Sequence, residues 1–188
     1  MPEIPSSLMQ EWIQHPKDLQ KALWTALCPL KTVPMFKAWR TIKIGSVEDL
    51  SRALAVNGFP ICSTASDIME RMVPAPAETA IELVRITARE LGFNNQTRRD
   101  AIYARAKEFG LDLVPAEVGP QLRLQYGKQP AREWLLIGME PILTRDFFAR
   151  IFGVGQNKHG KILFDSDGNP AAQYEPSSCW VFARRKQS

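Results

Sequence analysis

Gly155-Gln-Asn-Lys-His-Gly-Lys161 has the glycine and lysine spacing of a loop that cradles phosphate. Such a loop needs a hydroxyl after its lysine to hold Mg²⁺, and a helix that begins there to aim backbone N–H groups at the anion. Ile162 stands at the hydroxyl position, and Ile162-Leu163-Phe164 runs as a strand into a Ser-Asp-Gly-Asn-Pro turn. Glycine supplies the positive φ of a tight reversal, so the stretch predicts a hairpin turn and no nucleotide site. Asp165, Asp167 and Asn169 follow at alternate positions, as oxygen donors do in a calcium loop. The glycine and closing glutamate of that loop are replaced by Pro170 and Pro176, and the flanks read as strands. A turn rich in Asp, Gly and Asn is the expectation, with a looser β-loop calcium site as the less favoured reading.

Nucleophiles and acid–base pairs are equally thin. Cys179 and His159 could approach across a hairpin, but no third group is in place to orient them. Glu117, Glu133 and Glu140 lie near glycine and proline bends, at a spacing without specificity. The chain has 3 cysteines (Cys28, Cys62 and Cys179) and 2 histidines (His15 and His159), all far apart. That excludes a disulfide framework and a zinc cluster of ordinary spacing. The expectation is a chain with no catalytic residue, no metal and no cofactor. Net charge is +4 with a pI of about 9.1, which permits an acidic partner without requiring one. Arg98, Arg99, Arg184, Arg185 and Lys186 are the residues that could touch phosphate, yet no strand carries the interleaved aromatics of an RNA-binding sheet.

The elements that would position these residues fall into two zones. Residues 6–28 read as two helices, with Leu8, Met9, Trp12 and Ile13, then Leu19, Leu23, Trp24 and Leu27, at helical spacing, so 1–35 forms a helical extension. Residues 36–188 form one further domain. Lys37 to Ile44 alternates as a strand; Ser46, with Asp49 three residues on, opens a helix that Asn57-Gly58 ends; Thr64 to Met72 is helical. Glu78 to Leu91 suits either a helix or a β-branched strand. Thr97 caps a helix over 98–109 that Gly110 stops, with Arg98 and Arg99 on solvated surface. From Gln121 the period becomes two: Leu122, Leu124 and Tyr126 alternate, Trp134–Ile142 and Phe147–Val154 are apolar runs, and Lys161–Phe164 and Trp180–Ala183 are short strands. Helices early and strands late imply an α+β fold with a mainly antiparallel sheet. Its expected core holds Trp134, Leu135, Ile137, Met139, Ile142, Phe148, Ile151, Trp180 and Phe182. The N-terminus lacks a secretory pattern and no apolar run is long enough to span a bilayer, so the expected location is cytoplasmic, with no membrane partner.

Longer motifs then carry a resemblance. Trp39-Arg-Thr-Ile-Lys-Ile-Gly45, Ala88-Arg-Glu-Leu-Gly-Phe93, Asp100-Ala-Ile-Tyr-Ala-Arg-Ala106, Pro115–Tyr126, Glu133–Ile142 and Trp180-Val-Phe-Ala-Arg-Arg-Lys186 resemble a family of uncharacterised bacterial proteins abundant in candidate phyla. The likeness covers residues 36–186. Relatives are alike in these motifs and differ before the last strand, here over Ile162–Cys179. That arrangement resembles the variable proteins of diversity-generating retroelements, whose C-type-lectin-like fold holds a changeable face on a fixed sheet. The Glu-Pro-Asn and Trp-Asn-Asp motifs of sugar-binding lectins are absent. The resemblance implies a non-enzymatic recognition domain that binds a macromolecule, through Asp165, Ser166, Asp167, Asn169, Ala171, Ala172, Gln173, Tyr174, Glu175, Ser177 and Ser178. These side chains are mostly polar or small, as in antibody loops. Two other readings stand beside it: a nucleic-acid-associated protein using the five basic residues above, and an enzyme using Glu117 or Glu140 in a cleft.

Overall fold

A computed structural model describes residues 36–45, 49–158 and 160–185. The chain divides into two units, Met1–Met35 and Phe36–Ser188, and the second is the one described. The helices expected over 6–28, the cap expected at Ser46, and the His159 and Lys186 side chains lie outside the described residues.

Among the described residues, four helices and ten strands make an α+β domain. In chain order they are β1 (Arg40–Ile44), α1 (Leu50–Val56), α2 (Ser63–Arg71), β2 (Thr79–Thr87), β3 (Thr97–Arg98), α3 (Arg99–Glu108), β4 (Leu111–Asp112), α4 (Val118–Gln125), β5 (Trp134–Ile137), β6 (Ile142–Leu143), β7 (Ala149–Asn157), β8 (Gly160–Asp167), β9 (Gln173–Tyr174) and β10 (Cys179–Arg184). The main sheet runs β1-β2-β10-β5-β7, with β8 on the far side of β7 and short β4 and β6 beside β10 and β7. Among these strands every pairing is antiparallel except β10 with β5. β3 and β9 pair separately, Thr97 opposite Tyr174.

The last strand is central. β10 inserts between β2 and β5, so Trp180 lies beside Ile86 and Leu136, and Val181 beside Arg85 and Ile137. Trp180, Val181 and Phe182 are all fully buried, which means that both faces of the sheet are covered there. On one face α4 crosses the sheet so closely that a Cβ on Gly119 would come within 2.7 Å of Phe152. On the other face Tyr103 of α3 packs edge-on to Trp180 and Phe182. The Tyr103 hydroxyl donates to Met139 O at 3.0 Å, and burial pushes its phenol up to about 12.

The local elements follow from their residues, with some corrections. The ambiguous Glu78–Leu91 segment is strand β2 over Thr79–Thr87, which pairs with both β1 and β10, and a turn from Ala88 on. Asp49 caps α1, its carboxylate accepting from Arg52 N at 2.8 Å. Thr97 does not cap α3. It belongs to β3, and Arg98 holds the cap position. Leu122, Leu124 and Tyr126 do not form a strand: Val118 and Leu122, four apart, turn α4 inward, and the chain leaves the helix at Tyr126. The run from Trp134 to Ile142 is broken in two. Gly138 makes the last ladder bond of β5, donating to Val181 O at 2.9 Å, and Pro141, which has no N–H, precedes β6. Of the expected core, Leu135, Ile137, Met139, Ile151, Trp180 and Phe182 are buried, whereas Trp134 is 45% and Phe148 61% exposed.

Gly155 to Lys161 is the reversal between β7 and β8, which pair from Arg150–Asp167 to Asn157–Gly160. Gly155 is within a strand, and Trp134 lies so close that a Cβ there would be 2.4 Å from its ring. Gly160 has φ +117, a conformation that suits glycine. The Lys161 ammonium is spent on the carbonyl of Gly127. Both outer edges of the sheet are partly closed. Leu163 of β8 exchanges backbone bonds with Pro60 and Cys62, and Lys43 of β1 bonds through both its N–H and its C=O to the Gln125 carboxamide.

Candidate functional site

Ile162–Cys179 starts in β8, turns at Gly168, crosses the face that carries Trp180, and enters β10. From Asp167 to Ser178 its side chains alternate. Asp167, Asn169, Ala171, Gln173, Glu175 and Ser177 are exposed; Gly168, Tyr174 and Pro176 are buried, and Ala172 and Ser178 half-buried. Pro170 alone breaks the alternation and is exposed.

The inward positions are anchored. Gly168 N–H donates to Ala149 O at 2.8 Å, and a Cβ on it would lie 2.9 Å from Arg150 N. Pro170, Ala172, Pro176 and Ser178 each accept a backbone N–H, from Asp100, Arg99, Arg89 and Ala88. The start of α3 and the turn after β2 therefore hold the segment through its main chain, whatever its outward side chains are. Tyr174 is 8% exposed and stacks edge-on against Trp180, with ring centroids 4.8 Å apart. Its hydroxyl bonds to Asp167 O and Ser166 Oγ, and burial raises its phenol pKa.

The residues expected to form the face thus separate by role. Ala171, Gln173, Glu175 and Ser177 point outward, and Glu175 accepts a hydrogen bond from Gln96. Asp167 and Asn169 are exposed but shape the turn: Asp167 Oδ1 accepts Asn169 N and Asn169 Oδ1 accepts Ala171 N, each at 2.9 Å. Ala172, Tyr174 and Ser178 belong to the anchored side, with Tyr174 buried beneath the outward residues. Asp165 and Ser166 are half-buried in β8. Asp165 accepts from Cys62 Sγ at 3.0 Å and lies 3.6 Å from Arg150 Nε, so its carboxylate already faces a cation. Burial, and then the Asp165 carboxylate, push the Cys62 thiol up. Among the described residues no group of three His, Cys, Asp or Glu side chains is placed to hold a metal ion.

Most of the other candidates have structural partners, Glu140 and Cys179 excepted among the described residues. Glu117 is buried; it accepts Gly45 N and Ala75 N, the latter at 2.7 Å, and Gln121 Nε2 at 3.1 Å. Glu133 pairs with Arg85, and Glu140 is exposed beside a shallow 340 Å³ pocket floored by Phe182. Arg98 pairs with Asp100, Arg184 with Glu82 and Arg185 with Asp112. Arg99, expected on solvated surface, is buried: its guanidinium lies over Tyr103 and donates to Asn169 O at 3.3 Å. Cys179 is half-buried, and burial pushes its thiol up to about 11. Among the described residues no helix is long and apolar enough to cross a membrane.

Sequence reading missed the supports, Arg99 and Gln96, and the exposed aromatics of the β6–β7 turn. It also passed over a signal in plain view. Between Asn169 and Ser178 the outward residues are polar or small, while the inward ones include Tyr174 and Pro176, a period of two like that of a half-buried strand. No family model, curated protein or solved structure matches the chain.

Proposed function

We propose that this chain is a non-enzymatic recognition domain, cytoplasmic, that binds a macromolecular partner through the outward residues of Asp167–Ser177. One observation carries the reading: the segment is fixed through its backbone, its inward side chains and the turn made by Asp167 and Asn169, and among the described residues the outward side chains of Ala171, Gln173 and Ser177 make no bond to the fold, while Glu175 bonds only to the exposed Gln96. That is what a binding face needs if it is to change while its scaffold does not. It fits the resemblance to variable proteins of diversity-generating retroelements and to their C-type-lectin-like architecture. Neighbouring cations are a poor basis for the nucleic-acid reading, because Arg98, Arg184 and Arg185 are ion-paired and Arg99 is buried.

A substitution pool tests this. Randomising Ala171, Gln173, Glu175 and Ser177 together leaves most clones with a cooperative melt within about 5 °C of the parent. Tyr174→Ala, one step to the inward side, costs about 3 kcal/mol as a buried aromatic is lost. Outward clones that unfold as readily as Tyr174→Ala would end the proposal. The retroelement link has its own check in the gene neighbourhood: a reverse transcriptase and a near-copy of the codons for residues 160–186, with differences concentrated at outward positions.

A further inference from the structure

The turn between β6 and β7 spends structure on presenting two phenylalanines to solvent. Phe147 is 84% exposed and Phe148 61%, and Leu143 beside them is 55% exposed. Phe147 has φ +63, a region that glycine and asparagine enter easily and a bulky side chain does not. The turn is nevertheless tightly held. Phe147 N donates to Thr144 O, Thr144 N to Phe148 O, and Phe148 N to the Thr144 hydroxyl, all at 2.9–3.0 Å. Arg145 ties it to α2, its backbone N–H donating to Asp67 and its guanidinium pairing with Asp67 and Glu70. A strained, rigid, exposed aromatic returns nothing to the core; strain of this kind is retained where it serves a function.

Position and charge say which function. Leu143 pairs with Ala149, and Ala149 O accepts the Gly168 N–H that begins the alternating segment, so tip and segment adjoin. Among the described residues Asp146 and Asp167, exposed at the tip and at the turn beside it, make no ion pair, whereas Arg145 and Arg150 are both paired; the exposed Arg89, which makes none either, lies at the other end of the segment against Pro176. The surface is locally acidic on a chain of net charge +4. Three side chains of this size expose on the order of 400 Å². That is about half of what each partner buries in a stable interface, so the tip alone does not make a dimer.

We infer that Phe147 and Phe148 are the fixed apolar anchor of the recognition surface, and that the partner is a protein offering an apolar pocket rimmed by basic side chains. The outward residues of Asp167–Ser177 set which protein is bound; the tip supplies affinity common to all of them, as buried aromatics do at interface centres. This rests on the recognition reading above, and the test separates the two. Chains randomised at Ala171, Gln173, Glu175 and Ser177 are selected against immobilised lysozyme, a basic globular protein. Selected binders are then remade with Phe147→Asn and, separately, with Phe148→Ala. Affinity is expected to fall at least tenfold in both, while Phe147→Asn keeps or raises the melting temperature because asparagine relaxes the turn. Binders whose affinity stays within twofold overturn the anchor and leave the recognition reading standing. If no binder emerges, both fall. Parent self-association, or binding to anionic lipid vesicles, that Phe147→Asn abolishes would assign the tip to a second copy or a membrane, and would overturn it as well.

Discussion

Gly45 N–H and Ala75 N–H converge on the buried Glu117 carboxylate, with Gln121 beside them. A glutamate near a bend can be an acid–base catalyst or a clasp, and sequence does not separate the two, since both need a carboxylate close to glycine. Here the donors decide: two backbone N–H groups satisfy the charge, and they tie the end of β1 to the loop before β2. Gly45 has φ +74, and a Cβ there would meet Ala77 O at 2.5 Å, so the clasp is built for glycine. Glu117→Gln turns an amide NH₂ toward one of these donors. It is expected to cost about 2 kcal/mol, the range for a hydrogen bond to a charged group. The urea midpoint should drop with its slope unchanged, and an unmoved midpoint would mean that the clasp contributes nothing. Arg123 shows the same logic with the opposite charge. Fully buried, it donates to Tyr126 O at 2.6 Å and to Gly155 O at 3.3 Å, and burial pulls its guanidinium down to about 10.

Elements whose side chains alternate against one face were legible in the sequence; elements decided by neighbours were not. β1, α1, α2 and the β7–β8 hairpin are found where Ile42, Ile44, Leu50, Leu54 and the Gly155–Lys161 stretch place them. α4 was hidden because Leu122, Leu124 and Tyr126 alternate like a strand, while the helix is buried all round from Val118 to Arg123 and shows no one-sided apolar stripe. The break in Trp134–Ile142 was hidden because apolar runs look alike whether continuous or folded. Gly138 marks the break, lying where a Cβ would be 2.2 Å from the Phe182 ring and 3.0 Å from Val181 O. Gly138→Ala is therefore expected to destabilise by about 1–3 kcal/mol through overpacking. Calorimetry would show this as a melting temperature lowered by several degrees; an unchanged value would require Phe182 to move freely in a buried site. The candidate site was half-legible. Its span was marked by small and polar residues, but which of them are anchors depends on packing against Trp180 and on bonds from Ala88, Arg89 and Arg99, far away in sequence.

At the scale of the whole molecule, the pairing of β10 between β2 and β5 carries the architecture, and no local pattern announces it. The last strand closes contacts with segments about half the chain and more earlier in sequence, such as Phe182 with Val84. Charge is arranged so that stability has two pH limits. Hydrogen bonds hold Glu90, Asp112 and Asp67 below the usual carboxylate range, from Thr87, Arg185 and the Arg145 backbone respectively. Their contribution is present above that range and is lost as pH falls through their folded values. Cys179 moves the other way, its thiol raised from 9.0 to about 11 by burial. Its contribution is complete below 9.0 and declines as pH rises toward about 11. Urea midpoints should therefore plateau from about pH 5 to about pH 9 and fall on both sides, and a midpoint still rising above pH 9 would contradict the burial of Cys179. The Gln125 carboxamide has a consequence of a different kind. By offering Lys43 both a carbonyl and an N–H, at 3.1 Å and 2.7 Å, it imitates the next peptide of a sheet. The edge of β1 is thus sealed against another chain zipping on, which in an edge strand is the first step toward a fibril. One side chain keeps the growing end of the sheet capped.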